Sequence, residues 1–206
     1  MTSSNDTNRT AVLLVDPNND FLSEGGKLWS RVQPVADDVG LLNNLKAVLE
    51  AARKRGLAVY FVPHRRWQEG DYAGTWGGEF RDGFQPQPGE VVVKEHWAQS
   101  GFANTDLDFQ LKQRGINRVI LIGVLANTCV ESTGRFAMEL GYHVTLVRDA
   151  TAAFSPEMMH RFNCRPKMEC ASLPPHPVRG VVPLRVSRGL HSQTRYSSPQ
   201  GRNVHA

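Results

Sequence analysis

Five short apolar runs, at 11–15, 57–62, 91–93, 118–122 and 143–147, recur along the chain with room for a helix or a long loop between successive ones. Runs this short and this rich in Val, Leu and Ile suit strands buried on both faces, and parallel neighbours need a crossover of about a dozen residues or more. The intervening segments have the matching period. After Pro34, the residues Val35, Val39, Leu42, Leu45, Leu49 and Ala52 form one stripe, closed by Arg53-Lys54-Arg55 and Gly56, so start, face and stop signals agree on one helix. Thr105 and Asp108 resemble a capping box ahead of Leu107, Leu111 and Gly115. From Cys129 to Leu140, Val130, Thr133, Ala137 and Leu140 keep helical spacing, and Gly141 ends the pattern. The alternation predicts an α/β fold, a three-layer sandwich with a mainly parallel central sheet covered by helices on both faces.

The 206 residues suffice for one domain, which the pattern places at 11–160 after a polar, disordered 1–10. The segment 161–206 differs in kind. It holds seven Arg, one Lys and one Glu, a charge of +7 within a total of +4, which leaves residues 1–160 at −3. The excess of positive charge therefore does not mark a nucleic-acid face on the domain. With Pro166, Pro174, Pro175, Pro177, Pro183 and Pro199 and no helical periodicity, this basic tail predicts poor order and no regular elements. The three cysteines lack zinc-ligand spacing and read as reduced thiols. No run approaches the roughly 18 to 20 apolar residues of a membrane span, and the N-terminus has no apolar core, so a cytoplasmic, membrane-free protein is expected.

Three predicted strand ends carry reactive groups. Asp16 follows the first run, Lys94 the third, and Cys129 sits where the fourth strand gives way to a helix. Each has a plain structural reading: a turn cap, a solvated charge, a small buried hydrophobe. Together they make chemical sense. A carboxylate beside a thiol can take its proton, an ammonium steadies the anions, and amide hydrogens at a helix start hold an oxyanion and should lower the thiol's pKa below about 8.5. The long connection 64–90, with Trp67, Tyr72, Trp76, Phe80 and Phe84, reads as a substrate lid.

These residues resemble the isochorismatase-like cysteine hydrolases, a family that includes nicotinamidases, ureidoacrylate amidohydrolases, biuret hydrolases and isochorismatases. Leu14-Val15-Asp16-Pro17-Asn18-Asn19-Asp20-Phe21 is similar to its first motif, Val93-Lys94 with Ser100-Gly101-Phe102 to its second, and Gly123-Val124 through Cys129-Val130-Glu131-Ser132-Thr133 to its third. The resemblance implies a catalytic triad of Asp16, Lys94 and Cys129. It further implies a cis peptide between Val124 and Leu125, an oxyanion hole from the Leu125 and Cys129 amides, and Phe21, His64, Trp67, Trp97 and Val124 about the substrate. It implies an assembly of two or four copies, and a last strand and helix that the proline density of the tail forbids, so the C-terminal elements are expected to be missing or replaced.

There are departures from the pattern. Asn18 stands where relatives usually have Gln, and Pro63-His64-Arg65-Arg66-Trp67 lacks the nicotinamidase Asp-x-His metal motif, so no metal or other cofactor is expected. The leading expectation is a metal-independent hydrolase that opens a C–N bond of a small amide or ureido compound through a Cys129 acyl-enzyme. The alternatives are a vinyl-ether hydrolase with Asp16 as acid and Arg65, Arg66 or Arg81 binding substrate carboxylates, and a chain left inactive or unstable by its C-terminus.

Overall fold

In the computed structural model, which describes residues 7–65, 74–161, 168–173 and 185–187, one sheet runs through the domain in the order β3-β2-β1-β4-β5-β6-β7. Its strands are β1 (Thr10–Val15), β2 (Ala58–Val62), β3 (Val91–Val92), β4 (Arg118–Val124), β5 (His143–Ala152), β6 (Met168–Ser172) and β7 (Arg185–Ser187). The first six are parallel, and β7 pairs antiparallel with β6. Consecutive residues Ala11 to Val15 are all buried, odd and even alike. Both faces of the sheet are therefore covered at its centre, as a near-continuous apolar run requires.

The helices are α1 (Asn19–Leu22), α2 (Trp29–Val39), α3 (Leu41–Lys54), α4 (Leu107–Gln113), α5 (Glu131–Glu139) and α6 (Pro156–Arg161). The single helix expected from Pro34 onward is two. It begins earlier, at Trp29, takes Pro34 into its interior, and breaks at Gly40, whose left-handed backbone lets its N–H reach the Ala36 and Asp37 carbonyls. Val32, Val35 and Ala36 on α2 and Leu41, Leu45, Val48, Leu49 and Ala52 on α3 supply the buried stripe. The capping box before α4 is only half formed. Thr105 Oγ1 accepts the Leu107 N–H at 3.3 Å, whereas the Asp108 carboxylate turns to Lys112 and to the Tyr142 hydroxyl, at 2.7 and 2.8 Å.

Two expectations for the C-terminal part are corrected. Residues 168–172 contain no proline and form β6, with Val144↔Met168 through Val147↔Ala171 in register, and Leu173 donates its N–H to Asp149 Oδ2 at 2.7 Å. The prolines punctuate the tail without preventing a strand between Pro166 and Pro174. Cys170 is disulfide-bonded and Cys129 is free, so the cysteines are not all reduced thiols. Most of the basic tail, and residues 1–6 of the N-terminus, lie outside the described residues. Among the described residues, no helix is long and apolar enough to cross a membrane.

Candidate active site

The chain builds β2 and β3 on one side of β1 and β4, β5 and β6 on the other. The crevice at the carboxyl ends of β1 and β4 is thus the place where the winding reverses, the usual ligand position in open parallel sheets. β1 delivers Asp16 there, wholly buried, with a left-handed φ of 54° and its N–H donated to the Val62 carbonyl at 3.0 Å. β4 ends at the cis peptide Val124–Leu125, the isomer implied by the resemblance. The chain then makes one turn at π spacing, Ala126–Val130, before α5. Gly123 permits the approach. A Cβ there would lie 2.1 Å from the Val15 carbonyl oxygen, and its φ of 117° suits glycine alone.

Cys129 sits inside that π turn, buried at 6% exposure, and not at the first turn of a regular helix. A carboxylate oxygen of Asp16, a ring nitrogen of His64 and Cys129 Sγ all lie within 4.8 Å of one another. The electrostatics reverse one expectation. Burial pushes the thiol's pKa up, and the charge and hydrogen bonding of Asp16 push it further. The Thr128 hydroxyl, 3.8 Å from Sγ, and the Leu125 backbone amide act in the opposite sense but do not overcome them. The resting group is therefore a thiol beside a base, not a preformed thiolate.

Lys94 is not brought to this cluster. Its side chain is exposed, its backbone N–H is bonded to Asp106 Oδ1 at 2.8 Å, and its charge acts on Asp106. The group against Asp16 is His96, fully buried, with Nε2 2.7 Å from Asp16 Oδ1 and Nδ1 2.8 Å from the Ala98 carbonyl oxygen. Plain alternation already turns Lys94 outward, since Val92 is exposed and Val93 buried, and a register slip beyond it turns His96 inward. β3 pairs with β2 as Tyr60↔Val91 and Phe61↔Val92, but the bridge further on is His64↔His96, so one extra residue has entered the outer strand. A one-residue slip exchanges the inward and outward faces. Sequence reasoning missed His96 because it took the end of the apolar run as the end of the pairing; the signal available was a second histidine within reach of the Ser100-Gly101-Phe102 motif.

Of the residues expected about the substrate, Phe21 and Val124 are buried, and the Phe21 ring stands edge-on to His64 with centroids 5.7 Å apart. Trp97 is exposed at 41%, and Trp67 lies outside the described residues. The lid expectation is corrected in part: Phe84 is fully buried in the core and Phe80 packs on Phe61 at 5.3 Å, while Trp76 is exposed. The first motif ties this loop down. Asn18 Nδ2 donates to the Gly78 carbonyl at 2.7 Å and Asn19 Nδ2 to that of Trp76 at 2.8 Å. Asn18 Oδ1 also accepts the His64 N–H at 3.3 Å, so its shorter amide still links loop and site.

Residues 10–168 match the isochorismatase domain. The chain belongs to the isochorismatase family. Among family members it is 30% identical to the ureidoacrylate amidohydrolase RutB of Rhizobium rhizogenes, over 74% of this chain and 74% of that one. N-carbamoylsarcosine amidase from Thermoplasma acidophilum superposes with a TM-score of 0.62 at 32% identity, covering 75% of this chain and 90% of the other. An isochorismatase-like hydrolase from Alkaliphilus metalliredigens gives 0.66 at 31% identity, covering 78% and 88%. This isochorismatase-family chain is a hydrolase.

Asp16, His64 and Cys129 are also, among the described residues, the group of His, Cys, Asp and Glu near enough to share an ion.

Proposed function

We propose that this protein hydrolyses a C–N bond in a small amide or ureido compound, without a metal, through an acyl-enzyme on Cys129. The observation that carries the reading is that the buried Cys129 Sγ and an oxygen of the buried Asp16 carboxylate lie within 4.8 Å of each other. As the substrate carbonyl approaches, the Cys129 proton passes to Asp16 while Sγ forms a bond to the carbonyl carbon. The oxyanion so formed is held by the Leu125 and Cys129 amides. The C–N bond then breaks as Asp16 returns the proton to the leaving nitrogen. Water adds to the thioester, giving one proton to Asp16, and the C–S bond breaks as that proton returns to sulfur. Phe21, His64, Trp67, Trp97 and Val124 are the residues assigned to the substrate.

The names ureidoacrylate amidohydrolase and N-carbamoylsarcosine amidase support a ureido or carbamoyl compound as one substrate class to screen beside carboxamides. Of the three arginines that the vinyl-ether reading would use, the two described are engaged elsewhere. Arg81 is committed to the Leu22 carbonyl and lies over the Trp29 ring, and Arg65 is turned to Glu95 at 3.6 Å. Arg66 lies outside the described residues. The test is a screen of ureides, amides and nicotinamide for ammonia release, with intact-mass detection of an acyl adduct. The Cys129→Ala variant should lose turnover and adduct together. Turnover retained by that variant would refute the thiol mechanism and restore acid catalysis by Asp16.

The same reading carries a cytoplasmic location, where Cys129 stays reduced, and a homodimer or homotetramer. Light scattering on the purified chain measures the second. A free-thiol count on freshly lysed cells tests the first: three titratable thiols fit a reducing compartment, and fewer, with Cys170 kept in its disulfide, would overturn it.

A further inference from the structure

We propose that His96 is the positively charged member of this site, an imidazolium that holds and orients the Asp16 carboxylate in the role the sequence assigned to Lys94. The inference rests on the Asp16–Cys129 reading and deepens it, and it makes His96 a positioning residue, acting on the reaction through Asp16.

The argument is one of donors and acceptors. The ring is wholly buried, so solvent completes neither of its contacts. Nδ1 lies 2.8 Å from the Ala98 carbonyl oxygen and Nε2 lies 2.7 Å from Asp16 Oδ1. A carbonyl oxygen can only accept, and so can a carboxylate. Neutral imidazole has one N–H and one lone pair. It would satisfy one contact and oppose lone pair to lone pair at the other. The imidazolium, with two N–H groups, satisfies both. A neutral His96 could coexist with this geometry only if Asp16 held a proton, and an Asp16 so occupied could not take one from Cys129.

The surroundings agree. Burial of His96 works against its charge, but the Asp16 charge and the hydrogen bonds to Asp16 and the Ala98 carbonyl outweigh it and hold its pKa above the ordinary histidine value. The other groups facing the ring are His64, edge-on with centroids 4.8 Å apart, and through Asp16 the Cys129 thiol. Arg65 donates its backbone N–H to the His96 carbonyl at 2.8 Å but sends its side chain outward to Glu95. Lys94, two residues upstream, is exposed. A raised pKa means that the charge is present below the ordinary value and lost as pH climbs through the folded one. The site therefore has an alkaline limit that a lysine would place far higher.

Two measurements on the full chain test this, and neither needs a substrate. In the wild type labelled with 15N-histidine, the His96 ring nitrogens, assigned by their loss in His96→Lys, should both show the protonated signature at pH 7. A single protonated nitrogen overturns the proposal. The second is the pH dependence of Cys129 alkylation by iodoacetamide. His96→Gln should slow it about tenfold at neutral pH, the equivalent of about one pKa unit. His96→Lys should recover most of that rate and carry it to higher pH, and Lys94→Ala should match the wild type. A melting curve for each variant separates loss of charge from loss of fold. A folded His96→Lys that fails to recover, or a Lys94→Ala that shows the loss, overturns the proposal, and if His96→Lys does not fold the nitrogen spectrum decides, His96 then being assigned through its neighbours. Turnover by Cys129→Ala would remove the covalent reading while leaving the charge assignment standing, so the two fail separately.

Discussion

At the centre of the sheet, β1 lies between β2 and β4 with unbroken register, from Thr10↔Arg118 to Val15↔Gly123 on one side and from Ala11↔Ala58 to Val15↔Val62 on the other. At the outer edge, β3 contributes Val91 and Val92, and the next pairing comes one residue out of step at His96. The contrast shows where a side chain's direction is fixed. In the centre, neighbours on both sides allow only one register, and the residue after the last apolar position must enter the crevice. At the edge two paired residues cannot carry parity forward, and a bulge decides which residue turns inward.

The central pair should be the least tolerant of change. Asp16→Asn keeps the shape of the side chain but removes the proton acceptor for Cys129. We expect turnover to fall by about 10²- to 10⁴-fold, the range for a lost general base, with a lowered melting temperature as well, because the buried His96 loses its counter-charge. A loss under about tenfold in a steady-state assay would break the assignment of Asp16 as base and move the comparison in favour of the edge.

Gly123→Ala probes the backbone of the same region. Its Cβ would meet the Val15 carbonyl oxygen at 2.1 Å and the Val15 nitrogen at 2.8 Å, with φ at 117°. Neither neighbour can move without breaking the β1–β4 ladder. We expect a destabilisation of about 3 to 4 kcal/mol by urea unfolding, at the upper end of single substitutions. Gly56→Ala is the control, because its Cβ meets nothing within 4 Å although its φ of 67° is also positive. Equal losses at the two glycines would show that strain, and not the close approach of β1 and β4, sets the cost.

The same contrast explains what could be read from the chain. Strands β1, β2, β4 and β5 were legible because apolar runs of five or six residues flanked by helix-period segments leave few alternatives, and with them came the positions of Asp16 and Cys129. Lys94 was expected in the crevice because the end of the apolar run was taken as the site position, whereas alternation after exposed Val92 and buried Val93 turns it outward and the slip beyond it brings His96 in. The thiol's direction of shift was misjudged for a related reason. The pattern reveals a strand-to-helix junction, but only coordinates reveal a π turn that buries Cys129 against Asp16. Gly40 was readable as a helix terminator in principle, yet the apolar stripe runs unbroken across it from Val35 to Ala52 and masks the break. In the tail, proline density spoke against regular structure, while the seven residues between Pro166 and Pro174 that include β6 were too few to show a period.

The opposite side of the sheet, at β6 beside the edge strand β7, offers the smallest test and the one with an unusual sign. Asp149 is partly buried, its Oδ2 accepts the Leu173 N–H at the end of β6, and its Oδ1 is buried with no hydrogen-bond partner among the described residues. Burial raises its pKa, against the lowering effect of the Leu173 hydrogen bond. A carboxyl group raised in this way favours the folded state most when protonated, so it withdraws stability as pH rises through its folded value and stays unfavourable at neutrality. Asp149→Asn keeps an oxygen acceptor for Leu173 and removes the charge. It should leave the melting temperature at pH 7 unchanged or raise it slightly. Asp149→Ala strands the Leu173 N–H and should cost about 1 to 2 kcal/mol. If Asp149→Asn lost as much as Asp149→Ala, the carboxylate's charge would be helping to hold β6, and the sign derived from its burial would be wrong.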